Sequence, residues 1–173
     1  MSRQFLYTGY ASGFAGRVKA PFDAVIESQA PCSLGVTGGY TSARVENFRF
    51  RELLSFASAH TQASGILSTK SNAFETLMSG VLEGLNIVDM VKVDYMVGRL
   101  MSKHPVEPPN EGPDEPSVNP VGSHFGKITV AGHELTPVID SRLINVTSYT
   151  ELCKEIGRNK DRSCHLQFCS ESV

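Results

Sequence analysis

The stretch Leu85-Asn86-Ile87-Val88-Asp89-Met90-Val91-Lys92-Val93-Asp94-Tyr95-Met96-Val97 decides the fold class. Its odd positions read Leu85, Ile87, Asp89, Val91, Val93, Tyr95 and Val97, with Asn86, Lys92 and Asp94 among the even ones. Alternate side chains of a strand point to opposite faces, and a half-buried strand needs only one of them to be apolar. The pattern is therefore that of an extended chain, broken once at Asp89. Upstream, Phe48, Phe50, Glu52, Leu54 and Phe56 repeat it, with Arg49, Arg51 and Ser55 between and an acidic residue again at the break. A helix over residues 45–57 is the rival, because positions 45, 48, 53 and 56 also form a helical stripe.

The two stretches belong to an internal repeat. Val45-Glu46-Asn47-Phe48-Arg49-Phe50-Arg51-Glu52 matches Leu82-Glu83-Gly84-Leu85-Asn86-Ile87-Val88-Asp89 at an offset of 37 residues. Phe125-Gly126-Lys127-Ile128-Thr129-Val130-Ala131-Gly132 keeps the same order of one apolar residue, two spacers, an apolar residue, one spacer and an apolar residue. A two-residue spacer shifts the alternation by one, and a strand keeps both apolar positions inward only by bulging or bending there. Bulges are expected at Glu46-Asn47, Glu83-Gly84 and Gly126-Lys127.

Around the repeats, Tyr7 to Val18 and Phe22 to Ile26 read as two further strands separated by Pro21, and Gly38-Gly39 and Ser64-Gly65 read as turns. Residues 104–122 hold six of the nine prolines together with Glu107, Glu111, Asp114 and Glu115, the composition of a solvated loop. Ser148-Tyr149-Thr150-Glu151 has capping-box spacing, which predicts one short helix ending near Gly157. The expected organisation is a β-rich domain over 1–140 with the Pro-rich loop 104–122, followed by a helix and tail over 141–173. Several strands joined by Gly and Pro turns bury themselves best as two facing sheets, so the fold class is all-β, a two-layer antiparallel sandwich of about eight strands. A short β-solenoid is the alternative, since units of about 40 residues also stack.

Composition restricts the function. The chain has 173 residues, 40% of them hydrophobic and 20% charged, enough for a core and too apolar for a disordered polyelectrolyte. Lys and Arg number 16 against 18 Asp and Glu, a net charge of -2 that offers no bulk attraction to a nucleic-acid backbone. The first residues carry no apolar run of a secretory leader, so the expectation is a chain that stays inside the cell or whose leader has been removed. Cys32, Cys153, Cys164 and Cys169 lie at separations of 121, 11 and 5 residues, which fits no paired zinc-ligand spacing. Free thiols are expected, with a Cys164–Cys169 bridge the alternative in an oxidising compartment.

No nucleophile elbow, phosphate loop or His-Glu-x-x-His pair occurs in the sequence. No cofactor and no metal are expected. His124 and His133 bracket the third repeat, nine residues and about 30 Å apart if extended, so a shared ion requires a hairpin between them. Glu52 and Asp89 interrupt apolar faces at equivalent places and mark corners of the fold or belong to a binding site. Glu52, Asp89, His124 and His133 are thus the candidate binding residues, and no residue is assigned a catalytic role. Residues 55–79 are rich in Ser and Thr with few charges, a composition shared by solvated sheet faces and by hairpins that insert into membranes as β-barrels.

The segments Ala43-Arg44-Val45-Glu46-Asn47-Phe48-Arg49-Phe50, Gly84-Leu85-Asn86-Ile87-Val88-Asp89-Met90-Val91-Lys92-Val93-Asp94 and Gly122-Ser123-His124-Phe125-Gly126-Lys127-Ile128-Thr129-Val130-Ala131-Gly132 together resemble the choice-of-anchor P type of domain of bacterial surface or exported proteins. The resemblance covers about residues 7–135. It implies a β-rich architecture and a bacterial origin, and no reaction. The function expected is that of a non-enzymatic binding or assembly module that contacts a glycan, a protein partner or another copy of itself. The alternatives are a pore-forming or insecticidal-type toxin using residues 55–79, the only reading with a membrane partner, and an unrecognised hydrolase.

Overall fold

A computed structural model describes residues 5–106, 117–120, 122–137, 148, 150, 151, 153 and 154. The chain is all-β in two layers. The strands are β1 (Tyr10–Ala11), β2 (Phe14–Val18), β3 (Ala24–Gln29), β4 (Cys32–Ser33), β5 (Gly39–Phe50), β6 (Leu54–Ser68), β7 (Ala73–Ile87), β8 (Val91–Pro105), β9 (Ser117–Asn119), β10 (His124–Phe125), β11 (Ile128–Val130) and β12 (His133–Leu135). Eight of them form one large sheet in the order β12-β11-β8-β7-β6-β5, with β9 and β10 also on the outer edge of β8. Two ribbons, β1 with β4 and β2 with β3, make the smaller second layer. Consecutive long strands pair antiparallel, so the sheet is a meander and not the stacked solenoid of the alternative.

Both diagnostic stretches are hairpins and not single strands. Phe50 pairs with Leu54 across a turn at Arg51–Leu53, and Ile87 pairs with Val91 across a turn at Val88–Met90. A loop of three residues is odd in length, so the chain reverses while apolar positions keep the same parity. Linear alternation therefore runs unbroken through the corner. The helical rival over 45–57 gives way for the same reason, since its stripe is two paired strands seen end to end. Positive φ at Arg51, Val88 and Asp89 closes these turns, and the Val88 amide donates to the Leu53 carbonyl at 2.8 Å, joining one turn to the other.

The repeat has a physical meaning the sequence could only suggest. Val45 and Phe48, and Leu82 and Leu85, face inward on either side of a two-residue interruption, and Phe56 with Ala59 and Val93 with Met96 do the same on the intervening, oppositely directed strands. Phe125 and Ile128 pair with Met96 and Val93 at the same level, Ile128 against the core and Phe125 exposed. The interruptions at 46–47, 57–58, 83–84, 94–95 and 126–127 therefore line up as one crease across the sheet. Glu46 pairs with Ser58 and Phe48 with Phe56, so no register is lost. The bulges expected at Glu46-Asn47, Glu83-Gly84 and Gly126-Lys127 are corrected to this matched crease: every strand turns out two residues at one level, so none carries an unopposed extra residue. The left-handed conformations of Asn47 (φ 52°) and Gly84 (φ 65°) make the bend.

The core has two clusters, and the larger one spans the crease. In it Ile26 and Ala30 pack with Leu54, Phe56, Leu85 and Val93 from one side of the crease and with Ala59 and Leu82 from the other, joined by Phe14 and Val18. In the second, Tyr7, Cys32 and Leu34 pack on Ala63. Between them the fully buried Thr61 donates its hydroxyl to the Ala30 carbonyl at 2.6 Å, which ties the second layer to the middle of the large sheet. A buried carbonyl left without this donor costs about 1–3 kcal/mol.

Two local expectations are corrected. Ser64-Gly65 is not a turn but the inner part of β6, paired with β5 and β7. Gly65 is there because a Cβ would lie 2.5 Å from the Tyr7 ring, so the glycine is set by packing and not by chain reversal. The Pro-rich segment 104–122 is not all loop: His104 and Pro105 end β8, and Ser117–Asn119 form an edge strand on Met101–Lys103. Proline is tolerated there because an edge strand needs partners on one side only. Residues 107–116 lie outside the described residues, as do the domain division near residue 140 and Cys164 and Cys169. Of the predicted helix, Thr150, Glu151, Cys153 and Lys154 have helical backbone, and the Glu151 amide donates to Ser148 Oγ at 3.2 Å. The rest of that helix lies outside the described residues.

The crease predicts a ranking at residue 84. A Cβ on Gly84 meets the Ala57 Cβ at 3.0 Å in addition to the left-handed strain. Gly84→Val is expected to lower unfolding stability by about 2–3 kcal/mol and Gly84→Asn by about 1 kcal/mol, because asparagine tolerates this conformation and a β-branched residue does not. Urea denaturation of the three chains checks the order.

Candidate functional site

Three of the four candidate residues gather at one end of the large sheet. Glu52 and Asp89 occupy the adjoining hairpin turns and border a shallow recess of about 70 Å³ with Arg49, Arg51 and Asn86. His133 begins the last strand of the neighbouring hairpin, whose Ala131 amide donates to the Met90 carbonyl at 2.7 Å. The carboxylates are satisfied locally. Glu52 pairs with Arg49, while Asp89 accepts from Asn86 Nδ2 at 2.9 Å and lies 3.2 Å from Lys92 Nζ. Their side chains are 85% and 81% exposed, so both pairs are solvated. Arg51 lies over the Phe22 ring, 3.9 Å from its centroid. The recess has room for about two waters and holds turn-stabilising groups.

His124 stands apart from the other three. It is paired with Val97 on the outer face, six residues along β8 from the Val91 end, or about 20 Å. Its Nδ1–H donates to the Gly122 carbonyl at 2.8 Å, and its ring meets Tyr95 edge-on at 5.6 Å. His124 and His133 therefore do not share a site. Among the described residues, no three of His, Cys, Asp and Glu gather closely enough to hold an ion.

The site with volume lies elsewhere, and sequence reasoning missed it. In the second layer β4 rests over β5 and β6, and β1 over β6 and β7. Among the described residues the layer stops beyond β1, while the large sheet continues to β8. The gap is a cleft of about 450 Å³ bordered by Tyr10–Gly13 on one side and by parts of β7, β8 and Ser123 on the other. Its floor consists of three cross-strand pairs, Leu82 with Met96, Gly80 with Gly98 and Met78 with Leu100. The central glycine pair lacks side chains, and a Cβ at Gly98 would meet nothing within 4 Å. Leu100 is 48% exposed and Tyr10 59%, so apolar surface stays open to solvent at wall and floor.

The rim is polar. Tyr10 Oη and Ser12 Oγ each lie 2.6 Å from Ser28 Oγ, a hydroxyl cluster that fixes the Tyr10 side of the cleft. Ser123 Oγ accepts from the Arg99 amide at 2.8 Å and donates to the Arg99 carbonyl at 3.1 Å, replacing a ladder partner between β9 and β10. Among the described residues that line the cleft, Arg99 carries a charge and none carries a carboxylate, imidazole or thiol. The signal for it was present in the sequence as Gly80 and Gly98, two glycines inside strand patterns, where an isolated glycine marks close approach or missing volume.

The fold and cleft define a small two-layer β protein with an apolar groove at the margin of its second layer. Residues 5–165 match the family described as a domain of unknown function, DUF8256, and the chain belongs to that family. No curated protein and no solved structure matches it.

Two outcomes are expected from these placements. The Asn86 hydrogen bond, with Lys92, holds the Asp89 carboxyl below its ordinary value of 3.8. A depressed carboxylate pKa stabilises the fold above the unfolded value and loses that contribution as pH falls through the folded one. A carboxyl-carbon NMR titration is expected to show Asp89 titrating below pH 3.8 in the native chain and at a higher pH in Asn86→Ala. Gly98→Val is expected to leave stability unchanged or raise it by up to about 1 kcal/mol, because valine suits a strand and the space is open. Thermal unfolding checks this.

Proposed function

We propose that the protein is a non-enzymatic binding module whose glycan or protein ligand seats in the cleft between Tyr10–Gly13 and β7–β8. The observation that carries this reading is the cleft itself: an apolar floor with a glycine hollow, an exposed tyrosine and a hydroxyl rim. Its volume falls within the range of about 300–1,000 Å³ usual for ligand pockets. Apolar surface with a few fixed polar groups binds and orients, and acid–base chemistry needs titratable groups within reach of the ligand. Glu52, Asp89 and His133 sit at the hairpin end, about 20 Å along β7 and β8 from the glycine pair.

The toxin reading has less support. Residues 55–79 form most of β6 and the first half of β7, which bury Ala59, Thr61 and Ala63. Their release to a membrane would break pairing along the centre of the large sheet.

Gly98→Phe fills the hollow without left-handed strain. Screened against a glycan array and a peptide library, the wild-type chain is expected to retain a ligand that Gly98→Phe binds at least tenfold more weakly. Ligands bound equally by both chains would place the binding surface elsewhere and overturn the proposal.

A further inference from the structure

We infer that the occupant of the cleft is an extended segment of a partner polypeptide, added as one more strand to the free edge of β1. The inference rests on the binding-module reading and goes further by naming the ligand class. Its basis is the order of the second layer. From the β5 side inward, that layer presents β4, then β1, each lying across two strands of the large sheet. The next place in the sequence lies over β7 and β8, where the cleft is. β4 pairs with one side of β1, and among the described residues no strand pairs with the other. A strand edge presents unpaired amides and carbonyls, and facing sheets stand about 10 Å apart with strands about 4.8 Å from one another. One strand fits the gap, held by main-chain hydrogen bonds to Tyr10–Ser12 on one side and by apolar contact with the floor below.

The floor sets the side chains such a segment needs. Met78 to Leu82 span five residues, about 17 Å, so a strand across them turns three side chains inward. Those three meet the Leu82–Met96 pair, the Gly80–Gly98 pair and the Met78–Leu100 pair in turn. The middle position faces the glycine hollow and takes a large apolar side chain. The outer two face long side chains and take small ones. The preferred segment is therefore small, any residue, large apolar, any residue, small. Its inward positions are uncharged, because the described lining residues hold no carboxylate to answer a cation, and the one cation, Arg99, is exposed.

A random twelve-residue peptide library displayed on phage, panned on the full chain and depleted on Gly98→Phe, tests the inference. Peptides with the small–large–small alternation are expected to enrich. A synthetic peptide from the pool is expected to lose at least tenfold in affinity when N-methylated on one alternate set of amides and to be unaffected by the other set, the signature of a strand bonded along a single edge. Binding is also expected to slow hydrogen exchange at amides within Tyr10–Ser12. Enrichment without alternation, or indifference to both methylation sets, would overturn strand addition. A glycan that binds wild type and not Gly98→Phe, with no peptide doing so, would overturn the inference and leave the binding-module reading standing. A dimer of the chain that Gly98→Phe disperses would put a second copy in the groove and likewise overturn the partner segment. If Gly98→Phe alters no binding at all, both readings fall together.

Discussion

Every long strand of the large sheet must turn two consecutive residues outward at the same level, and the rest of the architecture depends on that constraint. Side-chain parity allows an apolar face to continue past such a point only if neighbouring strands make the same shift in register. Glu46-Asn47, Ala57-Ser58, Glu83-Gly84 and Asp94-Tyr95 do so, and Gly126-Lys127 continues the line along the outer edge of β8. The sheet bends there, and the larger core cluster runs across the bend. The ribbon of β2 and β3 packs on that cluster, and the ribbon of β1 and β4 on a second one around Ala63. Thr61 joins them through Ala30.

The shape of the cleft comes from the reach of these two ribbons. Two ribbons of short strands cannot cover strands of fifteen residues over the full width of the sheet. The edges are treated differently. Along β8 the outer edge is closed by β9, Ser123, β10 and β11. β5 at the opposite margin carries Arg44 paired with Glu46, and Arg49 paired with Glu52 across the turn, charges that discourage pairing with a foreign sheet. Among the described residues β1 has neither protection, and the side away from β4 adjoins apolar floor. Exposed backbone beside exposed apolar surface is the combination that a strand-shaped ligand satisfies.

The fold was legible because strands have a period of two and the hydrophobic pattern records it. Phe48, Phe50, Leu85 and Ile87 face the core as their alternation requires. Hairpin turns were harder to see, since a three-residue loop preserves parity and Arg51–Leu53 leaves no gap in the pattern. Only the acidic residues at the breaks, Glu52 and Asp89, betrayed the corners. The repeat at an offset of 37 is one strand out and one strand back, so it reports a meander, although a stacked unit has the same period. The cleft was not legible for a different reason. Its hollow is made of two glycines from different strands, Gly80 and Gly98, and a pair of absent side chains leaves no hydrophobic signal. Which of them face each other depends on the β7–β8 register, which the linear sequence does not print.

Among the described residues the second layer ends at β1, and the floor beyond it is open. Thiol labelling measures this directly. With Cys153, Cys164 and Cys169 replaced by serine, single cysteines at Gly98, Leu100 and Leu82 can be timed against a bulky maleimide. Gly98→Cys and Leu100→Cys are expected to react at rates near that of a free thiol, and Leu82→Cys, whose parent side chain is buried, at least a hundredfold more slowly. Equal protection at all three positions would mean that the sheet is covered to β8 and would contradict an open floor.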